Sequence, residues 1–179
     1  MPAETGARRY AAAAFQVAVE DAKLDEWATG ADELATLFSN PQAARFFANG
    51  KVSDSDKFKV LDEVLAGAEP RVLNLGRLLI SKDRTALAPA ISRELQDMID
   101  DHKGIAHARV TTAVELSPDA RRSLQARLEQ ITGKQVEMEP VVDPAIIGGM
   151  VARIGDRVID GSTRTKLIAL KKKLEGQPR

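Results

Sequence analysis

The sequence predicts an α plus α+β fold, with an N-terminal antiparallel six-helix bundle over residues 1–104 and a small α+β C-terminal domain over 105–179. Two observations carry this. Through the first hundred residues apolar side chains recur every three or four positions, interrupted by short turn signals, and after Gly104 the apolar period drops to two. The charge distribution changes at the same place. Residues 1–103 hold 13 basic and 17 acidic side chains (13 − 17 = −4), and residues 104–179 hold 13 and 9 (13 − 9 = +4).

The first helix is read in ARRYAAAAFQVAVEDAKL, rich in alanine and free of Gly and Pro. Tyr10, Ala14 and Val17 share a face while Phe15 and Val19 point elsewhere, so the helix is apolar on several sides and needs cover on several sides. The second sets Trp27, Ala31, Leu34 and Phe38 in line, and a short third begins at Pro41 behind Ser39 and Asn40. The fourth, VSDSDKFKVLDEVLAG, opens on serine caps and aligns Phe58, Leu61 and Leu65. Pro70 starts the fifth, with Val72, Leu75 and Leu79 inward. The sixth aligns Leu87, Ile91, Leu95 and Met98 and stops at Gly104.

The second half begins with strand alternation in AHARVTTAVEL, where Ala106, Ala108, Val110, Thr112, Val114 and Leu116 form one face. A helix follows from Ser117 to Gly133, its stripe Ala120, Leu124, Leu128 and Ile131, and then a second strand in QVEMEPVVD. The glycine-rich segment from Asp143 holds neither a Gly-Lys-Ser/Thr phosphate loop nor G-x-G-x-x-G. It reads instead as a hairpin, Met150–Ile154 against Arg157–Asp160 around a II′ turn at Gly155-Asp156. That register puts Ile154 opposite Arg157, Arg153 opposite Val158 and Ala152 opposite Ile159, with Arg153 reaching Asp160 diagonally. Ser162 or Thr163 then caps a last helix with Leu167, Leu170 and Leu174 inward and Lys171 to Lys173 outward.

Composition excludes several functions. With no cysteine there are no disulfides, thiolate zinc sites or cysteine nucleophiles. His102 and His107 lack the spacing of a metal pair, and no G-x-S-x-G elbow is present. Carboxylate pairs such as Asp62-Glu63 and Asp100-Asp101 read as solvated helix faces rather than acid–base groups. The expectation is a non-enzyme with no catalytic residue, no cofactor and no metal. No run approaches about 18 apolar residues and no signal peptide is evident, so a soluble intracellular protein without membrane insertion is expected. Aromatics at 4% and zero net charge argue against nucleic acid. The competing expectation is a small RNA- or ribosome-associated protein using the +4 of residues 104–179, with Arg164, Lys166 and Lys171 to Lys173 as its basic cluster.

Two segments carry a resemblance. ARRYAAAAFQVA resembles the opening helix of the delta subunit of bacterial F-type ATP synthases, the family of the mitochondrial oligomycin-sensitivity-conferring protein. The C-terminal stretch resembles that family's signature at Asp143, Ile147, Gly149, Val151, Ile154, Asp156, Val158, Asp160, Gly161 and Ser162. The resemblance implies a non-catalytic stator subunit of the peripheral stalk, one copy per complex, on the cytoplasmic face of the bacterial membrane. It implies that the N-terminal domain takes up the N-terminal helix of an alpha subunit and that the C-terminal domain grips the b subunits. It places the helix groove between the first and fifth helices, at Tyr10, Ala14, Phe15 and Val17 of the first and Leu75, Leu78 and Leu79 of the fifth.

Overall fold

In the computed structural model residues 2–155 and 157–175 are described, with side chains described at 6–155, 157–168, 170 and 171. The chain is α+β and divides into two compact units, residues 1–102 and 103–179.

The first unit comprises α1 (Pro2–Glu20), α2 (Leu24–Ser39), α3 (Pro41–Phe47), α4 (Asp54–Val64), α5 (Pro70–Ser81), a 3-10 turn (Thr85–Leu87) and α6 (Ala88–Lys103), the last running one residue past the division. Local chemistry sets the boundaries. The Asn40 side chain accepts from the backbone of Gln42 and Ala43 at the start of α3, and Ser53 Oγ accepts from Asp56 N at the start of α4. Pro41 and Pro70 sit where a missing N–H costs nothing.

The stripes predicted for α2 and α5 are all buried: Trp27, Ala31, Leu34 and Phe38, and Val72, Leu75 and Leu79. These two helices approach closely because two positions lack a side chain. A Cβ on Gly30 would meet Val72 Cγ1 at 2.8 Å, and one on Gly76 would meet Leu34 and Leu61 at 2.9 Å. Both carboxylate oxygens of Asp62 accept from Arg77 Nη2 at 2.8 Å, which ties α4 to α5. The α1 face differs from expectation. Its buried stripe is Ala7, Ala11, Ala14 and Ala18, spaced i, i+4, i+7 and i+11, and the larger Tyr10, Phe15 and Val17 lie half-buried on its flanks. Small residues win the centre because they let α1 settle against its neighbours.

The second unit is a four-stranded sheet in the order β2-β1-β3-β4, with β1 (Ile105–Thr112), β2 (Gln135–Val142), β3 (Met150–Ile154) and β4 (Arg157–Asp160). β1 runs parallel to β2 through the crossover helix α7 (Pro118–Thr132) and antiparallel to β3. Ser117 caps α7 and Gly133, at φ +68°, ends it. Ala108, Val110, Val136, Ala152 and Leu128 form the core. The hairpin has the predicted register, Ile154 with Arg157, Arg153 with Val158 and Ala152 with Ile159. Gly155 has φ +53°, as a primed turn requires, and its partner Asp156 lies outside the described residues.

Four expectations for this unit are corrected. β1 ends at Thr112, whose Oγ1 donates to Val114 O at 2.8 Å and turns the chain, so Val114 and Leu116 leave the strand and Val114 is 70% exposed. In α7, Leu128 is buried and Leu124 half-buried, but Ala120 and Ile131 face solvent. Arg153 does not reach Asp160, because Asp160 is already engaged: it accepts from Ser162 N at 2.8 Å and Thr165 Oγ1 at 2.7 Å. The last helix, α8 (Thr163–Glu175), keeps Leu167 and Leu170 exposed, not inward, and Ile168 with them. The side chains of Lys172, Lys173 and Leu174 lie outside the described residues.

Candidate partner-binding surfaces

Contacts from α1 to the start and end of α5 fix a seam between the two helices. Arg71 donates to Asp21 at 2.8 Å where α1 ends and α5 begins. At the other end, Arg84, just past α5, donates to the Tyr10 hydroxyl at 3.2 Å, its guanidinium 6.0 Å from the ring centroid. The two helices are therefore antiparallel along the seam. Lys23 adds a bond to Glu69 at 2.8 Å, and that acceptor holds the ammonium pKa above its ordinary value.

Helical spacing then says which side chains look into the seam. On α1 and the turn that ends it, Tyr10, Val17 and Asp21 are spaced i, i+7 and i+11; on α5, Arg71, Leu75 and Leu78 are spaced i, i+4 and i+7. Val17 is half-buried and Leu78 is 42% exposed, while Ala14, Leu75 and Leu79 belong to the buried core of the unit. Phe15 is elsewhere. Its ring packs edge-on against His102 of α6, 5.6 Å between centroids, on the opposite flank of α1. Of the seven nominated residues, Ala14, Leu75 and Leu79 are buried, Tyr10 and Val17 half-buried and Leu78 exposed, and Phe15 packs on His102.

The C-terminal segment is a backbone junction. Gly149, at φ +81°, passes so close to the end of the hairpin that a Cβ there would stand 2.5 Å from Gly161 O. Gly161 N donates to Met150 O at 2.8 Å and Thr163 N to Gly148 O at 2.9 Å, so the two glycine turns are laced together. Ser162, buried, caps α8 by accepting from Thr165 N, and Asp160 anchors both. These bonds, that from the Thr165 hydroxyl first, hold the Asp160 carboxyl below the ordinary Asp range. Val151 and Ile154 are half-buried on β3, whereas Ile147 and Val158 are 70% and 53% exposed, and Asp143 accepts from Ala145 N at 2.9 Å. Asp156 of this set lies outside the described residues.

These surfaces are apolar contacts and backbone junctions. The described residues hold no group of three or more side chains suited to a metal ion. A concavity of about 600 Å³ on the open sheet face is lined by His107, Arg109, Glu137, Glu139 and Arg153, with Arg109 donating to Glu139 at 3.1 Å and His107 3.5 Å from Glu137.

The sequence matches the family described as ATP synthase delta (OSCP) subunit over residues 7–174. The chain belongs to that family. It is 36% identical over 174 residues to ATP synthase subunit delta of Desulfotalea psychrophila, covering 96% of each chain, and 37% identical over 163 residues to that of Oceanobacillus iheyensis, covering 90% of each. A chain in the cryo-EM structure of the Toxoplasma gondii mitochondrial ATP synthase hexamer shares the fold, at TM-score 0.69 and 18% identity over 96% of this chain and 98% of that one.

A delta subunit is a non-catalytic stator component of ATP synthase, and belongs to a membrane-associated complex. No helix among the described residues is long and apolar enough to cross a membrane. The RNA-binding alternative finds no support. Arg109 and Arg122 are tied to Glu139 and Asp119, and every Phe, Tyr and Trp lies before residue 59, leaving no stacking surface in the basic half. Sequence reasoning missed the alanine stripe of α1 and the exposed apolar residues of α8. Four alanines at helical spacing were the available signal for the first; the second had none, since leucines at helical spacing look alike whether or not anything covers them.

Proposed function

We propose that residues 1–104 work as one antiparallel six-helix bundle whose α1/α5 seam receives the amphipathic N-terminal helix of an ATP synthase alpha subunit. Residues 105–179 form the second domain, which holds the b subunits. One copy would join the catalytic head to the peripheral stalk at the cytoplasmic face of the bacterial membrane, so that the head does not turn with the rotor.

The observation that supports this most directly is the seam itself. α1 packs mainly on α2 and the 3-10 turn, and it reaches α5 through long side chains at Asp21–Arg71 and Tyr10–Arg84, leaving Val17 and Leu78 between them at a partly open surface. An apolar strip framed by polar clasps suits an amphipathic guest helix, which buries apolar area without displacing the core. Tyr10, Val17 and Leu78 would touch the guest, and Ala14, Leu75 and Leu79 would support them from below.

The test is calorimetric titration of the full chain with a peptide of the alpha subunit's N-terminal segment. Ala14 is a poor probe, since at 4% exposure a charge there disrupts the core. Leu78→Asp places a charge on the seam and should weaken binding tenfold or more, roughly the loss of a single interface anchor. Val64→Asp, at a 55% exposed position on α4, should bind as wild type. Equal affinity of Leu78→Asp and wild type would move the binding surface off the seam.

A further inference from the structure

The sheet of the second unit has two outer strands, β2 and β4, and they are treated differently. Gln135 N donates to Gly104 O and Asp143 N to Thr112 O, so the odd-numbered residues of β2 turn their backbone groups toward β1. The even-numbered ones, Val136, Met138, Pro140 and Val142, turn theirs outward. An outer strand eight residues long is a template for pairing with another chain.

Three of the seven backbone groups in that outward row are already taken. Glu129 Oε1 accepts from Val136 N at 3.2 Å, Gln125 Nε2 donates to Val136 O at 2.9 Å, and an Arg121 Nη donates to Met138 O at 3.4 Å. These three side chains sit at i, i+4 and i+8 on α7, on the flank beside the Leu124 and Leu128 face that packs on the sheet. Pro140, the next outward residue, has no N–H to offer. β4 differs in length. Gly161 N donates inward to Met150 O, so Val158 and Asp160 turn their backbone groups outward on a strand of only four residues.

We infer that α7 is an edge guard: Arg121, Gln125 and Glu129, with Pro140, interrupt the outward row of β2 and so hinder strand addition by a second copy of this chain. The guard occupies backbone groups rather than covering the strand with apolar bulk, so it protects β2 while leaving the open sheet face free. It also explains why α7 presents only Leu124 and Leu128 to the core and spends the adjoining flank on polar side chains.

The experiment uses the full chain and compares wild type with Glu129→Ala, Glu129→Gln and the triple variant Arg121→Ala, Gln125→Ala, Glu129→Ala. Native-state amide exchange reads the Val136 N–H directly. Glu129→Ala should raise its exchange roughly tenfold, the worth of one hydrogen bond, and Glu129→Gln, which keeps an acceptor oxygen, should restore it. Sedimentation should show wild type as a monomer and the triple variant, with a native far-ultraviolet spectrum, associating as concentration rises. Unchanged Val136 exchange in Glu129→Ala overturns the inference, and so does a natively folded triple variant that stays monomeric at high concentration. If the triple variant fails to fold, the exchange measurement on the single variants still decides.

Discussion

Gly149→Ala tests whether the C-terminal segment is held by close backbone geometry, and Gly155→Ala is its internal control. Both glycines have positive φ, +81° and +53°, so each alanine takes on the left-handed penalty of about 1–2 kcal/mol, partly offset by a less flexible unfolded chain. Only one of them collides. At Gly155 a Cβ would meet nothing within 4 Å, whereas at Gly149 it would stand 2.5 Å from Gly161 O and 3.0 Å from Ser162 Cα. Those atoms are backbone and cannot rotate aside. Relief requires the two turns to separate, which breaks the Gly161–Met150 and Thr163–Gly148 hydrogen bonds at about 1 kcal/mol each. Gly155→Ala should therefore cost about 1 kcal/mol and Gly149→Ala about 3–4 kcal/mol, a large share of a small unit's stability. The assay is urea unfolding followed by amide exchange at Val151 and Arg153 on β3, with Trp27, the single tryptophan, reporting separately on the first unit. A difference between the two variants of less than about 1 kcal/mol would mean the close approach to Gly161 contributes nothing.

Gly76→Ala should destabilise the first unit by about 1–2 kcal/mol despite alanine's better helix propensity, because Leu34 and Leu61, both buried, stand 2.9 Å from the new Cβ; the Trp27 unfolding midpoint checks it, and a stabilised variant would show that these leucines repack freely. Asp160 gives a pH prediction. Its folded pKa is depressed, so its contribution is fully present above the ordinary Asp range and is lost as pH falls through the depressed value. Asp160→Asn should accordingly be less stable than wild type near neutrality, with the gap closing in acid; a gap independent of pH would remove Asp160 as the anchor of Ser162 and Thr165.

Much of the architecture was legible because it is set locally. Ser53, Asn40 and Ser117 each announce a helix start through a side-chain oxygen, and Gly133 announces an end through a conformation that other residues adopt at a cost. The hairpin register follows from one turn and strict alternation, so it was readable to the residue. What escaped depended on partners distant in sequence. Val114 left β1 because of one hydroxyl bond from Thr112. Asp160 had two acceptor oxygens, and the reading that aimed them at Arg153 lost to a closer serine and threonine. The alanines of α1 outranked Tyr10 and Val17 for the buried face because packing rewards close approach as well as size, and alanine's small transfer energy hides that.

The proposed partner surfaces mark a different limit. Leu79 and Leu78 are adjacent leucines on one helix, yet one is fully buried and the other 42% exposed. Leu167, Ile168 and Leu170 on α8 have the composition of a core face and are exposed by half or more. Helical spacing measures how apolar a face is; it carries no record of whether the covering surface belongs to the same chain. A stator subunit must leave such faces open, since a contact that resists rotary load is built from apolar area buried only on assembly. The same demand makes backbone edges hazardous, and here they differ, β2 bonded at Val136 and Met138 by polar side chains of α7 and β4 kept to four residues. Apolar faces left available, together with the proposed interruption of the long β2 edge, are what a chain needs if it is to meet other subunits without first meeting itself.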